Sequence, residues 1–418
     1  MNPGTRESEM AQTKRIPPVG LCQEFTADIS EAQARGLYRT RRKLASAQGA
    51  HVFWRGREYL NFSSNDYLNL AADSRLARSA ARAARCYGTG AGASALISGY
   101  LPPVRRLEKH LAAWEKSAAA LVFSSGFAAN IGLVTALARP DDAVFSDALN
   151  HASLIDGCRL SRASVHIYRH VDANHLEELL RRKGKQAGRR LIVTESVFSM
   201  DGDWAPLPDL LVLAQRHDAL LLIDEAHASG VLGAHGRGLA EVLLPGLEPD
   251  DARVIKVGTL SKALGSQGGF VCGSKDLIDW LVNRSRPYIY STALAPPAAA
   301  AANRAVAIVQ RQPAPRRHLL ALGDFLRARL CAAGFAETGS RCHIVPVIVG
   351  DVSEAMELSR QLLDYDMLVP AIRPPSVPDG TSRLRISLSA GHSEEDVDRL
   401  VALFQKFFIK RQKSRGGP

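Results

Sequence analysis

The sequence predicts an α/β protein with a mostly parallel central sheet, followed by a smaller α+β domain. From residue 118 to about residue 271, continuous apolar runs alternate with stretches that have the periodicity of helices. Strands that are covered by helices on both faces have such continuous runs, which is typical of a parallel sheet. After about residue 295 the pattern changes to an alanine-rich helix and short strands. A chain of 418 residues, 46 % of them apolar, can bury the cores of both domains.

The first elements precede the sheet. Residues 1–20 are predicted to be disordered, and a basic helical segment is predicted to continue to about residue 45. The stretch HVFWRGREYLNFSSNDYL has the pattern of a short hairpin that leads into a loop. The stretch PVRRLEKHLAAWEK predicts a helix that starts at its prolines and packs through Leu107, Leu111 and Trp114.

The strands of the sheet are predicted at AALVF, RRLIVTE, ALLLID and RVIKVGT, with helices between them. The short strands HIVPVIV and RLRISLS belong to the smaller domain. We therefore expect three parts. These are an N-terminal arm, helix and hairpin over residues 1–60, a large α/β domain over residues 61–294, and a small domain with a basic tail over residues 295–418.

Composition excludes a membrane-spanning protein. The most apolar stretch is interrupted by Pro296, Pro297, Asn303 and Arg304, and the polar N-terminus lacks the apolar core of a signal peptide. Six cysteines occur without a CxxC pair, which is typical of reduced thiols. These features predict a cytoplasmic protein that does not bind a membrane.

The formal charge of +11 points to an anionic partner. Basic residues concentrate near residues 35–43 and again over 406–415. Such a distribution suits nucleic acid or an anionic small molecule such as a coenzyme A ester. We interpret the last ten residues as a solvated tail, because charged chain ends usually are.

Several candidate site residues follow directly after predicted strands. In open α/β sheets, the ligand crevice lies at the carboxyl ends of the strands. The predicted strands there bring together a helix N-terminus, hydroxyl groups, a carboxylate and a lysine. The residues concerned are Gly126, Phe127, Ser199, Asp224, Thr259 and Lys262.

Three other interpretations of these motifs fail. The sequence LLLIDEAH resembles a Walker B strand, but the required GxxxxGK[ST] loop is missing, because Leu179 stands five residues before Gly184. The glycines of YGTGAGAS do not have GxGxxG spacing and follow a helical stretch. His166, Tyr168 and His170 alternate on a predicted strand, and the histidines at positions 51, 110 and 235 are isolated. No set of them has metal-ligand spacing, so we interpret these histidines as structural and predict no metal.

The remaining set is Asp224 and His227 with Lys262 about forty residues later. Pyridoxal 5′-phosphate (PLP) requires a lysine for its aldehyde, a carboxylate for its pyridine nitrogen and a helix N-terminus for its phosphate. A buried carboxylate would keep the ring nitrogen protonated and the ring electron-poor. On these residues alone, an ordinary solvated lysine on a flexible loop remains the alternative.

Seven stretches of the chain, in register from about residue 35 to about residue 405, resemble the α-oxoamine synthase family of fold-type I PLP enzymes. They are YLNFSSNDYLNL, SSGFAANIGLV, DALNHASLIDG, TESVFSMDGDWAPL, IDEAHASGVLGAHGRG, GTLSKALGSQGGF and AIRPPSVPDGTSRLRISLSAGH. Members of this family are homodimers that condense an amino acid with an acyl-CoA and release CO2. The resemblance implies the same fold, cofactor and reaction type here.

Matching positions imply a role for each site residue. Lys262 is expected to form the Schiff base, Asp224 to pair with the pyridinium nitrogen and assist catalysis, and His151 to stack on the ring as a catalytic residue. The implied cofactor-binding residues are Gly126, Phe127, His151, Ser199, Asp224, His227, Thr259, Ser261, Lys262, Ser291 and Thr292. The resemblance also implies that Ser291 and Thr292 reach the phosphate in the partner subunit's site.

The stretches AIRPPSVPDGT and RTRRKLASAQGA are similar to the biotin-pathway branch, which makes 8-amino-7-oxononanoate. That similarity implies L-alanine and pimeloyl-CoA, or a pimeloyl-carrier protein, as substrates. The implied substrate-binding residues are Arg41, Ser376 and Arg385. Ser376 stands where this branch usually has threonine, and Ala95 stands where it often has arginine or histidine.

Three alternatives stay open at this point. Glycine C-acetyltransferase, or another acyl-CoA branch of the family, would use the same cofactor set. A fold-type I aminotransferase would use the same aspartate and lysine. A PLP-containing nucleic-acid binder would use the basic termini, although we expect no nucleic-acid partner.

Overall fold

A seven-stranded sheet forms the centre of the computed structural model, which describes residues 19–184, 187–248 and 251–415. In chain order the strands are β1 (His51–Trp54), β2 (Arg57–Asn61), β3 (Ala119–Phe123), β4 (Ala143–Asp147), β5 (Ser164–Tyr168), β6 (Arg190–Glu195), β7 (Leu220–Asp224), β8 (Val254–Thr259), β9 (Gly269–Gly273), β10 (Ile344–Gly350), β11 (Met367–Leu368), β12 (Ala371–Ile372) and β13 (Ser382–Ser387).

Helices cover the sheet and build the C-terminal part. In chain order they are α1 (Val19–Ala34), α2 (Ser74–Tyr87), α3 (Pro102–Glu115), α4 (Gly126–Leu137), α5 (Ala152–Ser161), α6 (Ala173–Lys183), α7 (Leu207–Arg216), α8 (Leu239–Leu243), α9 (Lys275–Arg284), α10 (Arg286–Ile289), α11 (Pro296–Arg311), α12 (Ala314–Ala332), α13 (Val352–Asp364) and α14 (Glu394–Arg415), with a short π-helical turn at Ala95–Gly99.

The strand order in the central sheet is β3-β9-β8-β7-β6-β4-β5. Every neighbouring pair is parallel except those that involve β9, which runs antiparallel to both β3 and β8. The predicted mostly parallel sheet is therefore confirmed. The strands β4 and β9 are not predicted by the sequence pattern, because β4 has only three apolar residues and β9 starts and ends with glycine.

On every strand of the central sheet except β5, alternate side chains enter two separate cores. On β7, Leu221 and Ile223 pack into the larger cluster, whereas Leu222 packs into the cluster beneath α4, α5 and α9. Helices cover both faces of these strands, which explains their continuous apolar runs, whereas β5, at the edge of the sheet, exposes two apolar side chains. In α3 the predicted apolar face is buried through Leu107, Leu111 and Trp114.

Two small sheets accompany the central one. The C-terminal part contains a sheet with the order β10-β13-β12. The other has the order β1-β2-β11, in which the N-terminal hairpin pairs with β11 and Met367 lies opposite Leu60 in a parallel pair. Segments that are about 300 positions apart therefore share one small sheet.

The predicted helical segment to residue 45 is wrong in its extent, because α1 ends at Ala34. Gly36 has a φ of +65°, in the left-handed region that favours glycine and commonly terminates a helix. The chain then continues without helix into β1. The predicted disorder of residues 1–20 is wrong for residues 19 and 20, which begin α1. Residues 1–18 and the last three residues of the predicted tail lie outside the described residues.

Within the described parts of the chain, no helix has both the length and the apolar character needed to cross a bilayer. Among the side chains that the structure describes, five cysteines are free thiols, and three of these are buried: Cys158, Cys272 and Cys342.

Candidate active site

Asp224 ends β7 at the carboxyl edge of the sheet and is buried, with 4 % of its surface exposed. Nδ2 of Asn130, on α4, donates to Oδ2 over 2.6 Å, and the N–H of Ala226 donates to Oδ1 over 2.9 Å. Both donors are neutral, so the carboxylate has no cationic hydrogen-bond partner among the described residues. A buried carboxylate in this state suits a cationic group that a ligand brings.

Glu195 ends β6 directly beside Asp224 in the parallel register. Its Oε2 accepts a hydrogen bond from the N–H of Ser199 over 3.2 Å, whereas its buried Oε1 has no partner among the residues that the structure describes. Burial and the neighbouring Asp224 raise the pKa of Glu195 well above its ordinary value. The neutral form of Glu195 is therefore favoured, which avoids two adjacent buried charges.

Lys262 lies in the turn after β8, and neighbouring segments hold this turn in place. Gly265 has a φ of +57°, and a Cβ there would come within 2.5 Å of the backbone nitrogen of Ala71. Ser266 Oγ donates to the carbonyl of Ala298, in the first turn of α11, over 2.8 Å. Segments that are distant in sequence thus fix the loop that presents Lys262 to the site.

Lys262, His227 and Tyr67 form a continuous polar chain. Nζ of Lys262 lies 2.7 Å from Nε2 of His227, and Nδ1 of His227 lies 2.6 Å from the Tyr67 hydroxyl. Burial lowers the pKa of Lys262 to about 8, although Asp224 and Glu195 oppose this shift. Burial and the nearby Lys262 lower the pKa of His227 well below its ordinary value, which favours a neutral imidazole.

The N-terminus of α4 forms the other end of the site. Ser125 caps the helix by accepting a hydrogen bond from the N–H of Ala128 over 3.0 Å. The N–H groups of Gly126 and Phe127 lie in the first turn, where no helical carbonyl can accept from them. A Cβ on Gly126 would lie 3.4 Å from the Thr259 side chain, so the end of β8 closely approaches this turn. Such a helix end suits an anion.

Two hydroxyl groups lie beside this helix end. Thr259 Oγ1 donates to the carbonyl of Gly268 over 3.1 Å and lies 2.8 Å from Ser261 Oγ. Ser261 is exposed and Thr259 is buried. The hydroxyl of Ser261 is therefore available to an anion bound at this end of the site.

His151 precedes α5 and caps it. Its Nδ1 lies 2.7 Å from Ser153 Oγ and accepts a hydrogen bond from the Ser153 N–H over 3.2 Å. The ring centroid lies 6.5 Å from that of Phe127, with the planes at 80°. Desolvation lowers the pKa of His151 against the opposing effect of Asp224, which favours a neutral ring.

Arg385, on β13, reaches the same crevice from the C-terminal part of the chain and is buried. Its Nε donates to the carbonyl of Ser199 over 2.5 Å, and its Nη1 donates to Ser387 Oγ over 2.6 Å. Longer contacts of 3.3 and 3.4 Å join it to Asn65 and to the hydroxyl of Tyr67. These partners are all neutral, so no carboxylate among the described residues offsets the charge of the guanidinium, which suits a carboxylate that a substrate brings.

Four predicted site residues lie apart from this centre. Arg41 and Ser376 are exposed. The loop that contains Ser376 is bound to the N-terminal arm, because Nη2 of Arg373 donates to the carbonyl of Tyr38 over 2.9 Å. Ser291 and Thr292 line a small depression together with residues 123–124, directly ahead of α4.

Three residues of this site are not predicted from the sequence: Asn130, Tyr67 and Glu195. Asn130 is a buried polar residue in a helix that is otherwise largely apolar, which is a recognisable signal in the sequence. Glu195 ends a strand just as Asp224 does. Tyr67 has no such signal, because it lies in a loop and meets His227 only through the fold.

This set of side chains and backbone N–H groups fits PLP. Asp224 is buried without a cationic partner among the described residues, Lys262 has its pKa lowered toward that of a reactive amine, and the start of α4 offers free N–H groups. The three groups come from three different strand ends of one sheet. They match the pyridine nitrogen, the aldehyde and the phosphate of the cofactor.

Comparison with known proteins identifies the family. The model for "Aminotransferase class I and II" matches residues 57–404. The 8-amino-7-oxononanoate synthase of Anaeromyxobacter dehalogenans (strain 2CP-1) is 48 % identical over 383 residues, which cover 92 % of this chain and 95 % of the relative.

Two solved structures agree with this assignment. A serine palmitoyltransferase variant from S. paucimobilis with bound PLP and myriocin has a TM-score of 0.85 at 30 % identity, covering 92 % of this chain and 96 % of that one. An 8-amino-7-oxononanoate synthase from Francisella tularensis has a TM-score of 0.72 at 26 % identity, covering 85 % and 99 %. The predicted fold type is thereby confirmed, and the chain belongs to the class I and II aminotransferase family and, within it, to the α-oxoamine synthases.

Proposed function

We propose that this protein catalyses the decarboxylative condensation of L-alanine with pimeloyl-CoA, or with a pimeloyl-carrier protein, to give 8-amino-7-oxononanoate, CO2 and the free thiol of the carrier. The observation that supports this most directly is the 48 % identity to an 8-amino-7-oxononanoate synthase over 92 % of the chain. The cofactor is pyridoxal 5′-phosphate, and the protein is a PLP-dependent acyltransferase of biotin biosynthesis.

When bound, PLP supplies an electron sink for the electron pair released at Cα of the amino acid. Asp224 holds the ring nitrogen protonated, and His227 and Ser199 bind the phenolic oxygen of the ring. The N–H groups of Gly126 and Phe127 would bind the phosphate together with the hydroxyl of Ser261, beside which Thr259 lies with its own hydroxyl bonded to the carbonyl of Gly268.

Lys262 binds the cofactor aldehyde and then acts as the base that removes the proton from Cα of alanine. Its neutral partner His227, 2.7 Å away, can share a proton with it. Arg385, whose charge is not offset by a carboxylate among the described residues, would bind the carboxylate of alanine. His151 would lie against the ring of the cofactor, and because its Nδ1 is bound to Ser153, its Nε2–H would be available to donate to a carbonyl oxygen of the substrate.

We also propose that the protein is a cytoplasmic homodimer with Ser291 and Thr292 directed to the partner subunit's phosphate site. The support is an exposed apolar surface beside them, in which Ile97 is 80 % and Tyr290 is 72 % exposed. The N–H of Ala293 donates to the carbonyl of Ala93 over 3.0 Å, so the two exposed segments lie together. Burial of such side chains in a subunit interface would lower the free energy of the dimer.

We place Arg41 and Ser376 at the acyl-donor end of the site. Both are exposed on neighbouring segments, the N-terminal arm and the loop after β12, which Arg373 links. Basic residues at positions 39, 41, 42 and 43 give this region a positive charge that suits the phosphates of CoA or an acidic carrier protein.

The choice of amino acid tests the proposed reaction. We expect L-alanine to change the visible spectrum of the PLP-loaded protein, and pimeloyl-CoA added next to produce a new long-wavelength band and release CoA thiol. If only glycine has this effect, the chain belongs to another branch, such as glycine C-acetyltransferase. If the amino acid alone converts the cofactor to its amine form, the reaction is transamination and the proposal is wrong.

The lowered pKa of Lys262 predicts how PLP capture depends on pH. Only the neutral amine attacks an aldehyde, so the rate of PLP capture by the apoprotein should rise with pH and level off above about 8. An ordinary exposed lysine would give a rate that still rises at pH 9 to 10, since its pKa is about 10.4. Stopped-flow absorbance over this range measures the midpoint.

A further inference from the structure

His170 joins two acidic residues that lie on different segments of the chain. Its Nδ1 lies 2.8 Å from Oδ1 of Asp147, and its Nε2 lies 2.8 Å from Oδ2 of Asp203. A neutral imidazole can donate at only one nitrogen, so two carboxylates at this distance require the doubly protonated ring. The ring edge also packs on Phe198, with the centroids 4.3 Å apart at 85°.

The two carboxylates stabilise the charged state of His170 although the group is largely buried. His170 is 22 % exposed, Asp147 is 1 % and Asp203 is 18 % exposed in their side chains. Burial lowers the pKa of His170, but the hydrogen bonds and charges of Asp147 and Asp203 outweigh that effect and raise it to about 10. A positively charged His170 therefore persists at neutral pH.

The Asp147 end of this bridge controls the segment that carries His151. Asp147 is the last residue of β4, and its Oδ1 also accepts from the N–H of Leu149 over 2.9 Å. Its Oδ2 accepts from the N–H of Val171 over 2.9 Å. The turn from Asp147 leads directly to His151 at the start of α5, so the bridge sets where that turn begins.

The Asp203 end controls the loop that carries Ser199. The carbonyl of Asp203 accepts from the N–H of Phe198 over 3.1 Å, which closes the loop around Ser199. The carbonyl of Ser199 in turn accepts from Nε of Arg385 over 2.5 Å. A displacement of this loop would therefore move Ser199 and Arg385 together.

We propose that His170 is a positioning residue, whose imidazolium bridges Asp147 and Asp203 and so sets the spacing between the His151 turn and the Ser199–Arg385 side of the active site. The inference rests on the proposed function, which gives His151, Ser199 and Arg385 their roles. Both ring nitrogens of His170 are engaged by the two carboxylates, so His170 acts on these three residues through Asp147 and Asp203.

The test replaces His170 by glutamine, which keeps hydrogen-bonding groups but removes the charge and one of the two donors. We expect the Kd of PLP for the apoprotein and the KM for alanine each to rise about tenfold, because a shift of about 1 Å at a reacting group costs up to about a hundredfold. The KM for pimeloyl-CoA should change less than twofold, because the residues proposed to bind it lie elsewhere.

His175→Gln is the matched control. His175 lies five residues later, and its Nδ1 accepts a hydrogen bond from the backbone N–H of Arg169 over 2.9 Å. Its ring makes no hydrogen bond to a carboxylate of the described residues, although its backbone N–H donates to Asp172. This variant should leave both constants unchanged. Asp203→Asn removes one charge from the opposite end of the bridge and should raise the same two constants, and its effect should not add to that of His170→Gln.

A purely structural His170 would lower the melting temperature and leave the PLP Kd and the alanine KM of the folded protein at wild-type values, which would overturn the proposal. If His170→Gln does not fold, Asp203→Asn with unchanged constants has the same consequence. PLP binding is measured without substrate. A wild-type protein that fails to use alanine would therefore refute the proposed reaction while a raised PLP Kd in the variants still supported the bridge.

Discussion

Lys262→Ala is expected to abolish the covalent attachment of PLP and to reduce turnover by at least about three orders of magnitude, with the fold intact. The change removes both the amine that binds the aldehyde and the base for the Cα proton, and acid–base catalysis alone contributes a factor of about 10² to 10⁴. Nζ of Lys262 contacts His227, which also has Tyr67 as a partner.

The fold should survive because backbone contacts hold the turn. The close approach of Gly265 to Ala71 and the hydrogen bond from Ser266 to Ala298 do not involve the lysine side chain. Removal of a partly buried amine whose pKa is lowered by burial relieves a desolvation cost. We therefore expect the melting temperature of the apoprotein to stay within a few degrees of the wild type.

Borohydride reduction followed by peptide mass analysis measures the attachment directly. The wild type should carry the cofactor mass on the peptide that contains Lys262, and Lys262→Ala should carry none. Lys275→Ala is the control, because Lys275 is exposed at the start of α9 and should behave as wild type. A Lys262→Ala protein that stays yellow and active would show that another amine binds the cofactor.

The central sheet and the residues at its strand ends are predictable from the sequence. Apolar runs such as ALLLID report burial on both faces, and the ends of parallel strands meet at one edge, so the sequence alone predicts that Asp224 and Lys262 lie in one crevice. The position of β9 is not predictable in this way. This strand lies antiparallel between β3 and β8, and its pairing with β3 joins residues about 150 positions apart.

The contacts made by loop residues do not follow from the sequence in this way. Tyr67 and Arg385 lie 318 positions apart, and their contact depends on how the C-terminal part packs against the crevice. Periodicity reports which face of an element is buried but not which loop covers it. The contacts of His170 are likewise not predictable from the sequence. His170 is predicted to be structural, and only the fold brings the carboxylates of Asp147 and Asp203 to its ring.

Asp224→Asn is expected to keep PLP bound and to lower turnover about a thousandfold. Asparagine has nearly the same shape, and its carbonyl oxygen can still accept from Nδ2 of Asn130 or the N–H of Ala226. Lys262 and the start of α4 would still hold the cofactor at its aldehyde and phosphate. The lost group is the negative charge that keeps the ring nitrogen protonated, and removing one preorganised electrostatic partner typically costs about 10² to 10³ in kcat.

A second readout of Asp224→Asn separates this electrostatic role from a packing role. Asp224 raises the pKa of Lys262 against the effect of burial, so its neutralisation should move the pKa of Lys262 below 8. The midpoint of PLP capture by the apoprotein should accordingly shift to lower pH. Asp218→Asn makes the same substitution at an exposed turn before β7 and should change neither turnover nor this midpoint.

Near-normal turnover in Asp224→Asn would refute the role of its charge in catalysis. Reduced turnover with an unchanged pH midpoint of PLP capture would mean that the charge of Asp224 does not raise the pKa of Lys262. The effect of Asp224 on turnover would then be confined to the ring nitrogen. The two measurements together thus test whether one buried charge serves both the cofactor and the lysine. The geometry favours that dual role, because Asp224 ends the strand adjacent to β8, and Lys262 lies in the turn that follows β8.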